Sequence, residues 1–193
     1  MASIKEIVLP GGWTEQNGGF MGDFTLLGRK GNRAIQDNDP FYTWAFNVVY
    51  KRSDAEEEAG ARFEQIYNFF LVSKGFGFLV DDAFDNTASA RGGAGIVKSE
   101  GGVYRLFKRY TSNGISYDHP ITRPREDVVL GGGAAGKTLD LGTGIVTNGT
   151  APGTWTGSFY RPMLCPDGGL QFRRTPDGMV ESIGIQLEEQ IEL

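Results

Sequence analysis

A glycine-rich segment has the residue types and spacing of a phosphate-binding loop. Residues 131–138 read GGGAAGKT and match G-x-x-x-x-G-K-[ST] at every fixed position. In a nucleotide-binding protein this loop leads into a helix, because backbone N–H groups at the helix start hold the phosphates. Here the next residues are LDLGTG, and their glycines disfavour a helix. We therefore predict a glycine-rich turn between two strands, and we expect no nucleotide cofactor.

The single histidine, His119, is the side chain best suited to general base catalysis. It lies in the sequence Asp118-His119-Pro120, which favours a turn, and Ser116 is close by. Base catalysis needs a nucleophile and an orienting acid beside the imidazole. Ser116 and Asp118 are near in sequence, but adjacent residues of a strand point to opposite faces. We therefore predict a structural histidine.

Two other groups have residue types that bind metals. Asp81, Asp82 and Asp85 lack the alternating ligands and the closing glutamate of an EF-hand, so they predict a solvated acidic turn. Cys165 is the single cysteine, which excludes an internal disulfide and a cysteine zinc site built from one chain, and it predicts a small, semi-buried residue. The sequence therefore predicts no catalytic, cofactor-binding or metal-binding residue, and a protein that is not an enzyme.

One segment has the marks of a helix at both ends. Ser53 and Glu56 have the spacing of a capping box, and acidic residues follow in the first turn. Lys74 and Gly75 are typical of a helix end. Apolar residues recur at helical spacing in between and include Phe63 and Phe70. We predict a central helix at residues 53–74, with an apolar stripe that packs in a core.

The rest of the chain reads as short strands between glycine turns. With 29 glycines in 193 residues and many aromatic and β-branched runs, the composition favours a mainly β chain with one central helix, of the α+β class. Residues 83–102 have few apolar side chains and predict the start of an insertion. The predicted strands are residues 4–9, 20–29, 41–51, 76–82, 103–111, 154–161, 170–175 and 179–193, with further strands and turns over 115–130 and a hairpin at 137–146.

Charge and hydropathy exclude two classes of function. The formal net charge is −5 and the chain has no basic run, so sequence-specific nucleic-acid binding is not expected. The N-terminus has no charged region followed by a long apolar stretch, so we expect no signal peptide. No run of 18 apolar residues occurs, so we expect no membrane insertion.

The order of these parts resembles the distal tail protein family of siphophages and gene transfer agents. In that family a helix and an aromatic strand ending in acid precede a run of the form L-x-K-x-Y … Y-x-R-P-I-x-x-P. The matching residues here are Leu106, Lys108, Tyr110, Tyr117, Pro120, Ile121, Arg123 and Pro124. The resemblance covers about residues 41–193.

The resemblance implies a structural virion protein located in the phage tail and assembled in the host cytoplasm. Such proteins form a homo-oligomeric ring, typically of six copies, that joins the tail tube protein to the tail-tip hub protein. DNA passes through the ring during ejection without specific binding. Residues 1–82 and 160–193 would form the ring-forming domain, a β-sandwich or barrel-like fold, and residues 83–159 would form an inserted peripheral β-lobe.

Two alternatives stay open at this point. The chain could be a carbohydrate- or receptor-binding β module of a phage tail tip, with Tyr104, Trp155 and Tyr160 stacking on sugar rings. It could also hydrolyse a nucleotide through Lys137.

Overall fold

The computed structural model describes residues 4–9, 43–46, 68–73, 76–82, 85–150, 152–165, 170–174 and 180–190. Over these ranges the chain is mainly β, with a short helix, α1, at residues 68–73 and one turn of 3-10 helix at Ala90–Gly92. The strands are β1 Ile4–Val8, β2 Thr43–Phe46, β3 Gly77–Val80, β4 Ala94–Glu100, β5 Val103–Ser112, β6 Ile115–Pro120, β7 Val129–Gly132, β8 Thr138–Leu139, β9 Val146–Thr147, β10 Gly153–Thr156, β11 Arg161–Leu164, β12 Leu170–Arg174 and β13 Val180–Glu189.

The described residues divide into two compact units. Unit 1 contains those up to Leu79 and those from Met163 to Gln190, and unit 2 is the continuous segment Val80–Pro162. The boundaries predicted from the sequence, after residue 82 and before residue 160, lie near these junctions. The junctions fall within β3 and β11, so the chain leaves and re-enters unit 1 through two strands.

The larger sheet has the strand order β1-β3-β11-β13-β12, with β2 also paired to β13. β1 and β3 are parallel, and the pairs of β13 with β2, β11 and β12 are antiparallel. All four residues of β3 are buried, as expected for an inner strand covered on both faces. The strand predicted at residues 76–82 is therefore shorter in the structure: Phe76 precedes it and is 37% exposed, and it ends at Val80.

An aromatic cluster forms where α1 leads into β3 in unit 1. The ring of Phe78 lies edge-to-face against Phe69 at 5.0 Å and against Phe70 at 5.8 Å. The Ser73 hydroxyl donates to the Phe69 carbonyl at 2.8 Å, and the amide of Phe76 donates to the Ser73 carbonyl. The prediction that the helix ends in a buried aromatic stripe is confirmed for Phe70. Residues 53–67, 74 and 75 of the predicted helix, with its capping box, lie outside the described residues.

Unit 2 contains an antiparallel sheet in the order β6-β5-β4-β10-β7 and a small hairpin of β8 and β9. The hairpin confirms the prediction for residues 137–146. The sheet covers an apolar core whose fully buried centre is Leu106 and Trp155. The other buried members of that core are Ala88, Val97, Ile121, Ala134, Val146 and Phe159.

The sequence identifies most described strands but misses β4 and most of β11, because the strand predicted at residues 154–161 ends at the first residue of β11. β1, β5, β12 and β13 lie where they are predicted, whereas β4 falls in the segment with few apolar residues. β4 forms because it is paired on both sides, with β5 and with β10, and it buries Val97. Within the described ranges neither large sheet closes into a barrel. The predicted strand at residues 20–29 and both ends of the one at 41–51 lie outside those ranges.

Candidate functional site

One face of β5 carries the residues that follow the L-x-K-x-Y pattern. Leu106, Lys108 and Tyr110 are two positions apart, so their side chains share a face of the sheet. β5 pairs with β6 in antiparallel register, and the amide of Ile121 donates to the carbonyl of Leu106 at 2.9 Å. The partners of Lys108 and Tyr110 on β6 are His119 and Tyr117. Along this face of the sheet the pattern therefore gives an apolar pair, Leu106 with Ile121, followed by two polar pairs. The polar pairs are Lys108 with His119 and Tyr110 with Tyr117.

The polar pairs surround a carboxylate, Asp85, which lies in the segment before β4. Lys108 Nζ donates to Asp85 Oδ1 and, at 2.7 Å, to the carbonyl of Thr87. Asp85 Oδ2 accepts from Arg161 Nη2 at 2.6 Å and from the Tyr110 hydroxyl at 2.7 Å. Lys108 is 0% exposed, Arg161 3% and Asp85 6%. One carboxylate thus binds two cations and a phenol in the interior of unit 2.

The cluster is balanced in charge and is seated on an aromatic ring. Asp82, which is also buried, has Oδ2 3.8 Å from Arg161 Nε. Two cations therefore face two carboxylates, which buried charges require. The ring of Phe159 lies 5.7 Å from Lys108 Nζ and 5.5 Å from the Arg161 guanidinium, so it contacts both cations with its π face.

Glycine at position 93 leaves the space that the lysine occupies. A Cβ on Gly93 would lie 2.5 Å from Lys108 Cε and 3.0 Å from the carbonyl oxygen of Ala88. The Lys108 side chain can therefore occupy this space only because residue 93 has no side chain.

His119 extends the cluster across the strand pair. It is buried in β6, so the turn that the sequence favours for Asp118-His119-Pro120 is wrong. Arg161 Nη1 lies 3.2 Å from its Nε2. A guanidinium only donates, so Nε2 is the acceptor. The Tyr117 hydroxyl lies 3.5 Å from Nδ1. The nearby hydroxyl of Ser116 is exposed and lies 3.0 Å from that of Thr111.

Burial changes the proton affinity of two members of the cluster. It lowers the pKa of the Lys108 amine, and the hydrogen bond and charge of Asp85 oppose this effect. Burial also raises the pKa of the Tyr110 hydroxyl, so the phenol stays a hydrogen-bond donor. A lysine with a lowered pKa is typical of nucleophilic catalysis. However, Lys108 is fully buried and its amine already donates to Asp85 and Thr87.

Asp81 forms a separate, more exposed ion pair at the start of unit 2. Its Oδ1 accepts from Asn86 Nδ2 at 2.8 Å, and its Oδ2 lies 2.5 Å from Arg125 Nη2. The Arg125 guanidinium stacks on Tyr160 at 3.8 Å. Burial opposes ionisation of Asp81, but hydrogen bonds from Arg125 and Asn86 outweigh it and lower the pKa.

The prediction of a solvated acidic turn is therefore wrong for Asp82 and Asp85, which are buried counter-ions. Across the described ranges no group of three or more His, Cys, Asp or Glu side chains is placed to hold a metal.

The glycine-rich segment 131–138 forms the turn between β7 and β8 through its residues 133–137, as predicted. Its backbone amides are used within the fold. The amides of Gly133, Ala134, Ala135 and Lys137 donate, in that order, to the carbonyls of Pro152, Gly131, Gly132 and Ala134. These N–H groups do not converge on an anion as those of a phosphate-binding loop do. The side chain of Lys137 is exposed.

Trp155, the aromatic residue best suited to sugar stacking, belongs to the core. It is 1% exposed, and its Nε1 donates to the Phe107 carbonyl at 2.8 Å. Tyr104 packs against the same core and Tyr160 lies under Arg125. These three residues do not form a shared exposed platform. Cys165 is partly buried, as the sequence predicts.

The cluster around Asp85 was not found by sequence reasoning. Its members lie 23 and 76 positions apart, so no local motif joins them. The sequence contains one signal of this cluster. Lys108 is two positions from the apolar Leu106 in a predicted strand, so a charged side chain is expected on the same face as an apolar one.

No protein-family model matches the chain. A search of the curated proteins likewise gave no match. In the part of the chain that the structure describes, no helix has the length and hydrophobicity that a membrane crossing requires.

Proposed function

We propose that this chain is a structural virion protein of a phage tail. It forms a homo-oligomeric ring of about six copies that joins the tail tube to the tail-tip hub and lines part of the DNA conduit. It acts by assembly, and it neither makes nor breaks a covalent bond. The sequence resemblance suggests this role, and features of the fold support it.

The observation that carries the proposal is that residues of the pattern shared with the distal tail family are buried and bonded within the fold. Leu106, Lys108, Ile121 and Arg123 are all buried in unit 2. Arg123 Nη1 donates to the carbonyls of Thr122 and Gly142. A pattern whose polar members bind other parts of the same fold favours an architectural role over a catalytic one.

Open sheets and charge give further support. The described strands leave sheet ends at β1, β12, β6 and β7. Unpaired sheet edges are readily joined to another chain, and head-to-tail pairing around a rotation axis closes a ring. A net charge of −5 suits a conduit in which DNA slides without binding. In the finer fold that we propose, unit 1 is the sandwich-like ring domain and unit 2 is a peripheral lobe.

Size-exclusion chromatography with light scattering tests the proposal. We expect a single species with the mass of about six subunits. A monomer at all concentrations would contradict it. A monomer that also binds glycans would favour the carbohydrate-binding alternative, although Trp155, one of the three residues named for sugar stacking, is buried.

A further inference from the structure

Residues 110–117 form a hairpin arm in unit 2, made from the end of β5 and the start of β6. The pairing of β4 with β5 ends at Arg109, whereas the pairing of β5 with β6 continues to Ser112 and Ile115. Residues 111–117 are all exposed. The end of the arm therefore lies in solvent, beyond the sheet that supports its base.

The tip of the arm is an Asn-Gly turn. Asn113 and Gly114 have φ of 51° and 78°, as in the type I′ turn that this dipeptide favours. They lie between Ser112 and Ile115, the last paired residues, so the amide of Gly114 takes no part in the ladder. A Cβ on Gly114 would have no other atom within 4 Å, so the surroundings of this backbone are open.

An Asn-Gly pair can undergo a reaction between its side chain and its own backbone. The glycine nitrogen attacks Cγ of the asparagine and a C–N bond forms. The carboxamide nitrogen leaves as ammonia, taking the proton that the glycine nitrogen gives up, and a succinimide remains. Water then opens this ring at either carbonyl, which gives aspartate or isoaspartate. The reaction needs no reagent besides water, and glycine favours it because no Cβ hinders the attacking nitrogen.

The attack requires rotation of the asparagine backbone, which a folded segment resists. The rate in a folded protein therefore follows the free energy of local opening. At Asn113 the opening breaks only the exposed pairing of Ser112 with Ile115. The rings of Tyr110 and Tyr117, which stack at 6.4 Å, hold the base of the arm while its tip opens.

A second Asn-Gly pair in unit 2, Asn148-Gly149, has the same chemistry in a more restrained backbone. Asn148 is exposed and has φ of 56°, but Gly149 is buried. A Cβ on Gly149 would lie 3.1 Å from Val146 Cγ1 and 3.4 Å from Tyr104 Cβ. This glycine therefore packs against side chains of the apolar core.

The residues on both sides of this second pair are also bonded. Thr147 pairs with Thr138 in the hairpin of β8 and β9. Thr150 donates to the carbonyl of Gly133 from its amide at 3.0 Å and from its hydroxyl at 2.9 Å. Opening at Asn148 has to release these bonds and the core contact together. A third pair, Asn17-Gly18, lies outside the described residues.

We propose that Asn113 is a site of spontaneous deamidation and that the packing around Gly149 protects Asn148 from the same reaction. The product places a negative charge in residues 110–117, which carry none. Isoaspartate also adds a backbone atom to a two-residue turn, so it disrupts the pairing of the tip. This inference does not depend on the proposed ring.

Peptide mass spectrometry of the full chain, aged in neutral buffer, measures the reaction at each asparagine as the replacement of NH₂ by OH. In the folded protein we expect Asn113 to react faster than Asn148 by about tenfold or more. The urea-unfolded chain is the control, because both backbones are free there. In urea we expect the two rates to agree within about threefold.

Two variants test whether local opening sets each rate. Tyr117→Ala removes the stack at the base of the arm, and we expect the rate at Asn113 to rise by about threefold, with no change at Asn148. Thr150→Ala removes the hydroxyl bond to Gly133, and we expect the converse, a rise of about threefold at Asn148 alone.

Three results would overturn the inference. The first is equal rates at Asn113 and Asn148 in the folded protein. The second is an Asn113 that reacts only in urea, which would show that the turn itself is protective. The third is the same ratio of rates in urea as in buffer, or two variants that leave both rates unchanged, because the fold would then have no part in the difference.

Discussion

The two units build their interiors from different chemistry. In unit 1 the described contacts around α1 and β3 are aromatic, with Phe69, Phe70 and Phe78 in edge-to-face packing. In unit 2 an apolar core lies beside a charged cluster centred on Asp85 and Lys108. The first kind of interior needs only apolar residues at the right period, whereas the second needs specific partners brought together from distant segments.

The comparison bears on the role of the buried charged residues in unit 2. A buried lysine, histidine and aspartates resemble an active site when seen as a list of residue types. Their contacts show each of them bonded to another part of unit 2, so the cluster fixes strand positions. We expect the two interiors to respond differently to substitution.

The largest effect is expected at the charged cluster. Asp85→Asn leaves Lys108 and Arg161 buried without their shared carboxylate, and we expect a loss of about 3–5 kcal/mol in the free energy of unfolding. Glu126→Gln, at an exposed acid of the same unit, is the control and should change stability by less than about 0.5 kcal/mol. Chemical denaturation measures both.

A double variant sharpens this test. Asp85→Asn with Lys108→Met removes a buried positive charge along with the carboxylate, so it should be less destabilised than Asp85→Asn alone. Equal or additive losses would argue that the lysine and the aspartate are not energetically coupled.

In the aromatic interior of unit 1, the loss of stability on substitution should follow how deeply the side chain is buried. Phe70→Ala removes a ring that is 7% exposed, and we expect a cost of about 3 kcal/mol. Leu71→Ala, one residue further along the same helix, removes a side chain that is 55% exposed and should cost less than about 1 kcal/mol. Thermal melts that show equal stability for the two variants would reject the assigned packing. Phe63, the other residue predicted for this stripe, lies outside the described residues.

A surface ion pair of unit 2 should contribute far less to stability than the buried cluster. It joins Asp118 to Arg109 and Lys98 on the face of the β6-β5-β4 sheet opposite Lys108. Hydrogen bonds from Arg109 and Lys98 lower the pKa of Asp118 from its ordinary 3.8. The unfolded chain then binds this proton at a higher pH than the folded chain. The stabilisation is therefore complete above the unfolded value and is lost as the pH falls through the folded one.

Asp118→Asn should accordingly cost about 0.5–1 kcal/mol at neutral pH, because one side of the pair is exposed. The difference from wild type should shrink as the pH falls below about 4. Urea unfolding at a series of pH values measures it. A difference that grows on acidification would contradict the assignment.

The smallest effect is expected at the glycine-rich turn. Lys137→Ala changes an exposed side chain and should alter stability by less than about 0.5 kcal/mol. We also expect the same background rate of ATP and GTP hydrolysis in wild type and variant. Hydrolysis by the wild type that the substitution abolishes would restore the nucleotide-binding interpretation.

Sequence reasoning succeeds in this chain where structure follows from local pattern. Strands β5 and β13 have runs of apolar or alternating residues, and the turn at 131–138 follows from its glycines. It fails for β4, whose residues become a strand through pairing on both sides. It also fails for Asp82 and Asp85, because their partner Arg161 is distant in sequence and no periodicity connects them.

Electron microscopy of the purified protein tests most directly whether the chain acts by assembly. We expect closed rings of about six subunits around a central channel, with a smaller lobe from each subunit at the periphery. Isolated single-subunit particles under all conditions would contradict the account.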